Sequence, residues 1–186
     1  MKTAAVLLAA GSGSRFKSSH HKLLADLKGR SVISHALDSL MQVAFSDVLV
    51  VTGAVDLADE LNKVDVKIIY NPDYARGIAS SITAAINWAR PRGFEALVFG
   101  LGDQPKIQPI AWKLIADARA PIAVASYDGK QRNPVRLSRE VWPLLPTFGD
   151  EGARLLIRSR PELVEAVPCE GSPADIDTLE DLQRWN

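Results

Sequence analysis

The chain predicts an α/β fold built on a mostly parallel sheet covered by helices on both faces, and three observations predict it. Four short runs, Ala4–Leu8, Val48–Val51, Val66–Ile69 and Ala96–Phe99, are apolar without alternation, as expected of strands buried on both sides. Amphipathic helical patterns fill the intervals between them. The resulting β-α-β-α-β-α-β order calls for right-handed crossovers between parallel strands.

Taken in order, Ser31 is placed to cap a first helix whose inner face carries Val32, Ile33, Ala36, Leu37, Leu40 and Met41. Leu57, Ala58 and Leu61 mark a short second helix. Ile78, Ile82, Ala85, Ile86 and Ala89 mark a third, which must stop before Pro91. The second half is less regular. It predicts a helix over Pro109–Arg119, strands over Pro121–Ala125 and Pro134–Leu137, a helical stretch over Gly152–Arg158 and a strand over Leu163–Val167. A last helix covers Leu179–Trp185, with Thr178 as its cap and Asp181 three residues on. No linker or repeat interrupts the pattern, so residues 1–186 read as a single domain, expected to be a monomer.

Composition narrows the function. With 22 basic and 22 acidic residues the net charge is zero, which argues against a nucleic-acid footprint. An anionic ligand must then be held by a local cluster of charges. The one cysteine, Cys169, cannot form an internal disulfide, and this suits a reducing compartment. Lys2 and the run Ala4–Ala10 faintly resemble a secretory leader but read better as a first strand. No stretch approaches the roughly 20 apolar residues that span a bilayer. The expectation is a cytoplasmic protein with no membrane partner.

Ligands of open α/β sheets sit outside the carboxyl ends of the strands. Those ends carry Ala10–Lys22, Gly53–Val55, Asn71–Gly77 and Gly102–Pro105. The first contains Ala9-Ala10-Gly11-Ser12-Gly13-Ser14-Arg15-Phe16 and then Lys22, small residues whose amides can form an anion nest beside two cations. It is neither a P-loop nor a dinucleotide fingerprint, since Phe16 stands where the third glycine would be. Alone, it is equally a flexible turn with solvated charges. Asp103, after the fourth strand, is placed to ligate Mg²⁺ or, equally, to cap the next helix. Asp175-Ile176-Asp177-Thr178 offers a second carboxylate or a helix cap. Alternation along this extended segment is expected to turn one aspartate inward and the other outward.

Together these loops resemble the MobA-like nucleotidyltransferases, and within them the molybdenum cofactor cytidylyltransferase branch. The stretches that carry the resemblance are Leu8-Ala9-Ala10-Gly11-x-x-x-Arg15-Phe16 with Lys22-Leu23-Leu24-Ala25, Asn71-Pro72 with Gly77 and Ser80-Ser81, Gly102-Asp103-Gln104-Pro105, Gly149-Asp150-x-Gly152-Ala153-Arg154 and Asp175-Ile176-Asp177-Thr178. The resemblance implies a three-layer, Rossmann-like fold of the glycosyltransferase-A type. It implies that Ala9, Ala10 and Gly11, with Ser12 and Gly13 beside them, bind the nucleotide. Ser81, near Gly77, would help read the base. Arg15 and Lys22 would hold the triphosphate, and Asp103 and Asp177 would hold Mg²⁺. Leu-Ala-Ala-Gly is similar to the CTP-using branch rather than the GTP-using one. The implied acceptor is molybdopterin carrying molybdenum, with molybdenum hydroxylases as client enzymes.

Two stretches depart from that pattern. His20 and His21 sit in the first loop, where they are expected to be solvent-exposed. Gln131-Arg132-Asn133-Pro134 is expected near the acceptor. Trp142 either packs in the core or stacks on a pterin, and His35 is expected to be structural. Two rivals remain: transfer to a sugar or polyol phosphate, and a non-catalytic accessory protein that binds the cofactor for a molybdenum hydroxylase.

Overall fold

A computed structural model describes residues 1–18 and 20–186. Strand β1 (Thr3–Ala9) is followed by a small hairpin, β2 (Asp26–Leu27) with β3 (Arg30–Ser31), and then by β4 (Asp47–Thr52), β5 (Lys67–Tyr70) and β6 (Ala96–Leu101). The second half adds β7 (Ile122–Tyr127), β8 (Lys130–Ser138) and β9 (Val164–Pro168). All but the hairpin join one sheet in the order β5-β4-β1-β6-β8-β7-β9. The first four of these are mutually parallel. β8 runs antiparallel to β6 and β7, and β9 is parallel to β7.

The reversal at β8 has a local cause. Asp128 and Gly129, at φ 49° and 76°, link β7 to β8 in a two-residue turn, and two positive-φ residues match the twist of a hairpin.

Period-two alternation divides the core. Ala4, Val6 and Leu8 of β1, with Leu49 and Val51 of β4, face α3 (Ile78–Ala89) and α5 (Arg154–Ser159). Ala5, Leu7 and Ala9, with Val48 and Val50, face α1 (Val32–Met41) and α4 (Pro109–Asp117) on the opposite side. The short α2 (Ala58–Leu61) adds Leu61 to that second layer. This is the three-layer, Rossmann-like arrangement the sequence predicts. Ser31 caps α1 by accepting from the Ser34 amide, as expected.

One expectation needs correction. The run at Val66–Ile69 is not buried on both faces. It forms the edge strand β5, where Ile68 and Tyr70 are exposed, because an apolar run does not say which strand ends the sheet. Of its two readings, Trp142 takes core packing. It is buried, and its indole N–H donates to the Leu137 carbonyl at 3.1 Å. His35 is structural, bonded through Nε2 to the Leu27 carbonyl at 2.7 Å.

A third, smaller apolar cluster positions the site. Phe16, Ala25, Leu27, Val32 and Ile176 pack together, with Leu182 and Trp185 of α6 (Leu179–Trp185) against them. It pins the loop after β1 to the C-terminal segment. Ile176 is fully buried in this cluster, a burial that contributes roughly 2 kcal/mol. Among the described residues, no helix is long and apolar enough to cross a membrane.

Candidate active site

At the carboxyl ends of β1, β5 and β6 lies a cleft of about 620 Å³. Ala9, Ala10, Gly11, Ser12 and Gly13 line it, as do Arg15 and Lys22. Gly77, Ser81, Asp103 and Asp177 close it from the other elements. Every residue singled out for the site therefore lies on one wall or another of a single cavity.

Carbonyls at the end of β1 and in the loop after it are engaged within the protein. Leu8 accepts from the Gly102 amide, Ala10 from Ala54 and Gly13 from Phe16, at 2.8–3.0 Å. The Gly11 carbonyl is held by His21 Nε2 at 2.9 Å. In a trans peptide the N–H points opposite to the C=O, so engaging these carbonyls aims the next amides the other way. Among the described residues, the amides of Gly11, Ser12, Gly13 and Ser14 donate to no protein acceptor. A row of free amides beside Arg15 and Lys22 suits a polyphosphate.

The carboxylates approach from two directions and meet at one ammonium. Lys22 Nζ lies 2.5 Å from Asp103 Oδ2 and 2.9 Å from Asp177 Oδ1. Arg15 contacts the other oxygen of Asp177 at 2.9 Å. Burial alone would lower the Lys22 pKa. The charge and hydrogen bond of Asp103, with those of Asp177, reverse this and raise it, so the amine stays charged. Asp177 reaches Asp103 because the segment before it runs alongside the loop after β6. The Ile176 amide donates to the Asp103 carbonyl at 2.9 Å, and Gln104 Nε2 donates to the Pro173 carbonyl at 2.9 Å.

Of the two aspartates, Asp177 lines the cleft and Asp175 lies outside its lining, the one-in, one-out outcome expected, although not by simple alternation. Residues i and i+2 of an extended chain share a side, and here Ile176 takes the other side and enters the core. Asp175 accepts from Gln104 Nε2 at 2.5 Å. Desolvation, then the nearby charge of Asp103, pushes its pKa up. His21 departs from expectation. It is partly buried behind the loop rather than solvated, while His20 is exposed. Arg132 is exposed and bonds the adjacent Gln131 carbonyl, away from the cleft lining. Asn133 does better: it donates to Gln104 Oε1 at 3.0 Å and lines a neighbouring cavity of about 130 Å³.

Asp103 Oδ1 is buried and has no hydrogen-bond partner. An orphaned carboxylate oxygen, on an aspartate that shares the Lys22 ammonium with a second carboxylate, fits a hard divalent cation that takes oxygen ligands. Among the described residues no group of three or more acidic, His or Cys side chains could hold a metal.

The lining also includes residues that sequence reasoning left unassigned: Tyr74, Ala75, Ile78 and Asp150. Their signal was indirect, since Asp150 follows a glycine that docks on another loop. Gly77 has φ +95°, and a Cβ there would lie 2.4 Å from the Gly149 backbone carbon. The Ala79 amide donates to the Gly149 carbonyl at 3.1 Å, which seals this contact. Ser81 is oriented from the same region. Its hydroxyl accepts from Asn71 Nδ2 at 3.0 Å.

Residues 5–165 match the MobA-like NTP transferase domain. The chain belongs to that family. The MobA-like chain is 27% identical over 194 residues to nicotine blue oxidoreductase of Paenarthrobacter nicotinovorans, covering 96% of this chain and 94% of that one. Among solved structures, a homologue of Rv0371c from Mycobacterium sp. strain JC1 superposes with a TM-score of 0.83 at 31% identity, covering 98% of this chain and 94% of that one. Rv0371c of Mycobacterium tuberculosis H37Rv, in complex with manganese, gives 0.81 at 26% identity, covering 100% and 98%.

Proposed function

We propose that this MobA-like protein is a Mg²⁺-dependent cytidylyltransferase that moves CMP from CTP to a molybdopterin-type acceptor and releases pyrophosphate. One observation carries the reading: Lys22 is held between Asp103 and Asp177 directly beside a loop whose amides are free. Charge of both signs is thus concentrated where a triphosphate and a cation would meet. A manganese complex of a related protein at 26% identity supports a divalent metal here.

In this reading the amides of Gly11 to Ser14 cradle the triphosphate, and Arg15 and Lys22 neutralise the departing pyrophosphate. Asp103 and Asp177 would hold Mg²⁺, which when bound supplies charge neutralisation to the reacting phosphates. The acceptor phosphate oxygen attacks the α-phosphorus. That bond forms as the bond from the α-phosphorus to the bridging oxygen breaks, and the electron pair leaves with pyrophosphate. A phosphate is already ionised at neutral pH, so no general base is required. Ser81 is compatible with cytosine. It accepts from Asn71 and keeps its proton to donate to a base acceptor such as O2 or N3 of cytosine, a contact that does not by itself exclude other bases. The acceptor would enter over Leu8, Ile78, Leu101 and Asp150, which line both the cleft and the smaller cavity.

The oxidoreductase name of the Paenarthrobacter relative favours a second reading, in which the cleft binds a nucleotide-bearing redox cofactor and releases no pyrophosphate. One experiment separates the two. Thermal shift with each nucleoside triphosphate and Mg²⁺ is paired with a pyrophosphate-release screen against phosphorylated acceptors, including molybdopterin, sugar phosphates and polyol phosphates. CTP is expected to give the largest shift, and molybdopterin the turnover. Equal or reversed CTP and GTP shifts defeat the base assignment. Binding without pyrophosphate release from any acceptor defeats the transferase.

A further inference from the structure

We infer that His21 is a positioning residue for the nucleotide: its ring fixes the Gly11–Ser12 peptide so that the Ser12 amide faces the cleft, and it also starts the helical turn that carries Lys22. The inference rests on the reading that the cleft binds a polyphosphate.

Both ring nitrogens are committed. Nδ1 accepts from the Leu23 amide at 3.2 Å, which caps the short turn Lys22–Leu24. Nδ1 therefore carries the lone pair, and the proton sits on Nε2, which donates to the Gly11 carbonyl at 2.9 Å. Fully engaged in this way, the ring can neither ligate a metal nor act as a base. What it does is couple two pieces of phosphate-binding apparatus ten residues apart. One nitrogen orients a loop peptide, and the other holds the backbone from which Lys22 reaches Asp103 and Asp177.

The loop is shaped to admit this ring. Gly13 has φ +62°, and a Cβ there would stand 3.0 Å from His21 Nε2 and 3.3 Å from Lys22 Cγ. The imidazole lies against the underside of the nest, where a larger residue at 13 would displace it. Burial lowers the His21 pKa, the Gly11 hydrogen bond opposes that, the Lys22 charge adds to the lowering, and Asp103 opposes it. The net effect favours the neutral ring that both bonds require.

The two bonds can be separated by substitution. In His21→Gln, the side-chain amide can still donate to Gly11, but the cap is lost. In His21→Asn, the shorter side chain can still cap through its oxygen but does not reach Gly11. His21→Ala loses both. Each full-length variant is checked for folding by circular dichroism and titrated calorimetrically with CTP and, separately, with inorganic tripolyphosphate, each with Mg²⁺. The amide of Ser12 is followed by ¹⁵N–¹H NMR. His21→Ala is expected to weaken tripolyphosphate and CTP by the same factor, about tenfold, the scale of one hydrogen bond to a charged group. His21→Gln is expected within about threefold of wild type. His21→Asn should match His21→Ala in affinity, and the Ser12 amide should lose its ligand-induced shift in both. KM for CTP should rise far more than kcat falls.

A folded His21→Ala that binds both ligands as wild type does overturns the inference. So does equal affinity of the Gln and Asn variants, because the Gly11 contact would then be irrelevant. Wild-type protein that binds neither CTP nor tripolyphosphate overturns the nucleotide reading itself, and the role of His21 with it.

Discussion

The two halves of the sheet build their shares of the cleft by different means. In the parallel half, β5-β4-β1-β6, the lining follows directly from strand ends, and neighbouring ladders lock the carbonyls of Leu8 and Ala10. The other half, β8-β7-β9, supplies only Asp150 and Asp177 to the cleft, both on irregular chain. Asp150 is placed by the docking of Gly149 on Gly77. Asp177 is placed by a buried isoleucine, the pairing of Ile176 with Asp103 and the capping of α6. Regular topology thus sets the side of the cleft with the free amides, and a few local anchors set the carboxylate opposite. Loss of an anchor should shift function while most of the fold survives.

The strongest test of this division is Asp103→Ala, at the end of β6. It removes the carboxylate with the orphaned oxygen and leaves Lys22 paired with Asp177 alone. The expected result is a fold intact by circular dichroism and a kcat for pyrophosphate release reduced about 10²-fold or more. Near-normal turnover would remove Asp103 from the reacting centre. Next in size is Gly77→Ala, at the joint between the halves. A methyl group would meet the Gly149 carbonyl in a backbone region that L-residues rarely adopt. Strain and overpacking together should cost about 3 kcal/mol, lowering Tm by roughly 10 °C. A Tm within a degree or so of wild type would show that the two loops are not docked in solution.

The same contrast explains what could be read before folding. The buried strands, Ser31 as a cap, the free-amide loop and Asp103 were legible because each signal is local: an apolar run, a hydroxyl at a helix start, small residues after a strand. The Asp128-Gly129 turn that reverses β8 is an equally local signal. The exposure of β5 was not legible, because edge position depends on strand order. Nor was His21, whose partner is the carbonyl of Gly11, ten residues away across a loop. Which of Asp175 and Asp177 reaches the cleft does not follow from period-two geometry, which would put both on one side. What the sequence did not disclose was that Ile176 would be the plug that anchors the segment.

The smallest effect should come from the anchor that holds Asp177. Thr178 and Asp181 form a reciprocal cap: the Thr178 hydroxyl accepts from the Asp181 amide at 3.2 Å, and Asp181 Oδ2 accepts from the Thr178 amide at 2.9 Å. That same Oδ2 accepts from the Asp177 amide at 3.2 Å, so the cap holds the backbone of the site residue as well as the helix. Thr178→Ala should cost about 1 kcal/mol of stability, the usual scale for a lost N-cap. Because α6 has only seven residues and packs through Leu182 and Trp185, the loss should fray the helix without unfolding the sheet. Asp177 should then lose position, and the affinity for Mn²⁺, measured by electron paramagnetic resonance with tripolyphosphate present, should fall several-fold. Thr178→Ser, which keeps the hydroxyl, should restore it. If Thr178→Ala lowers Tm yet leaves Mn²⁺ binding untouched, the cap stabilises α6 alone, and the position of Asp177 rests on Ile176 and its bond to Asp103.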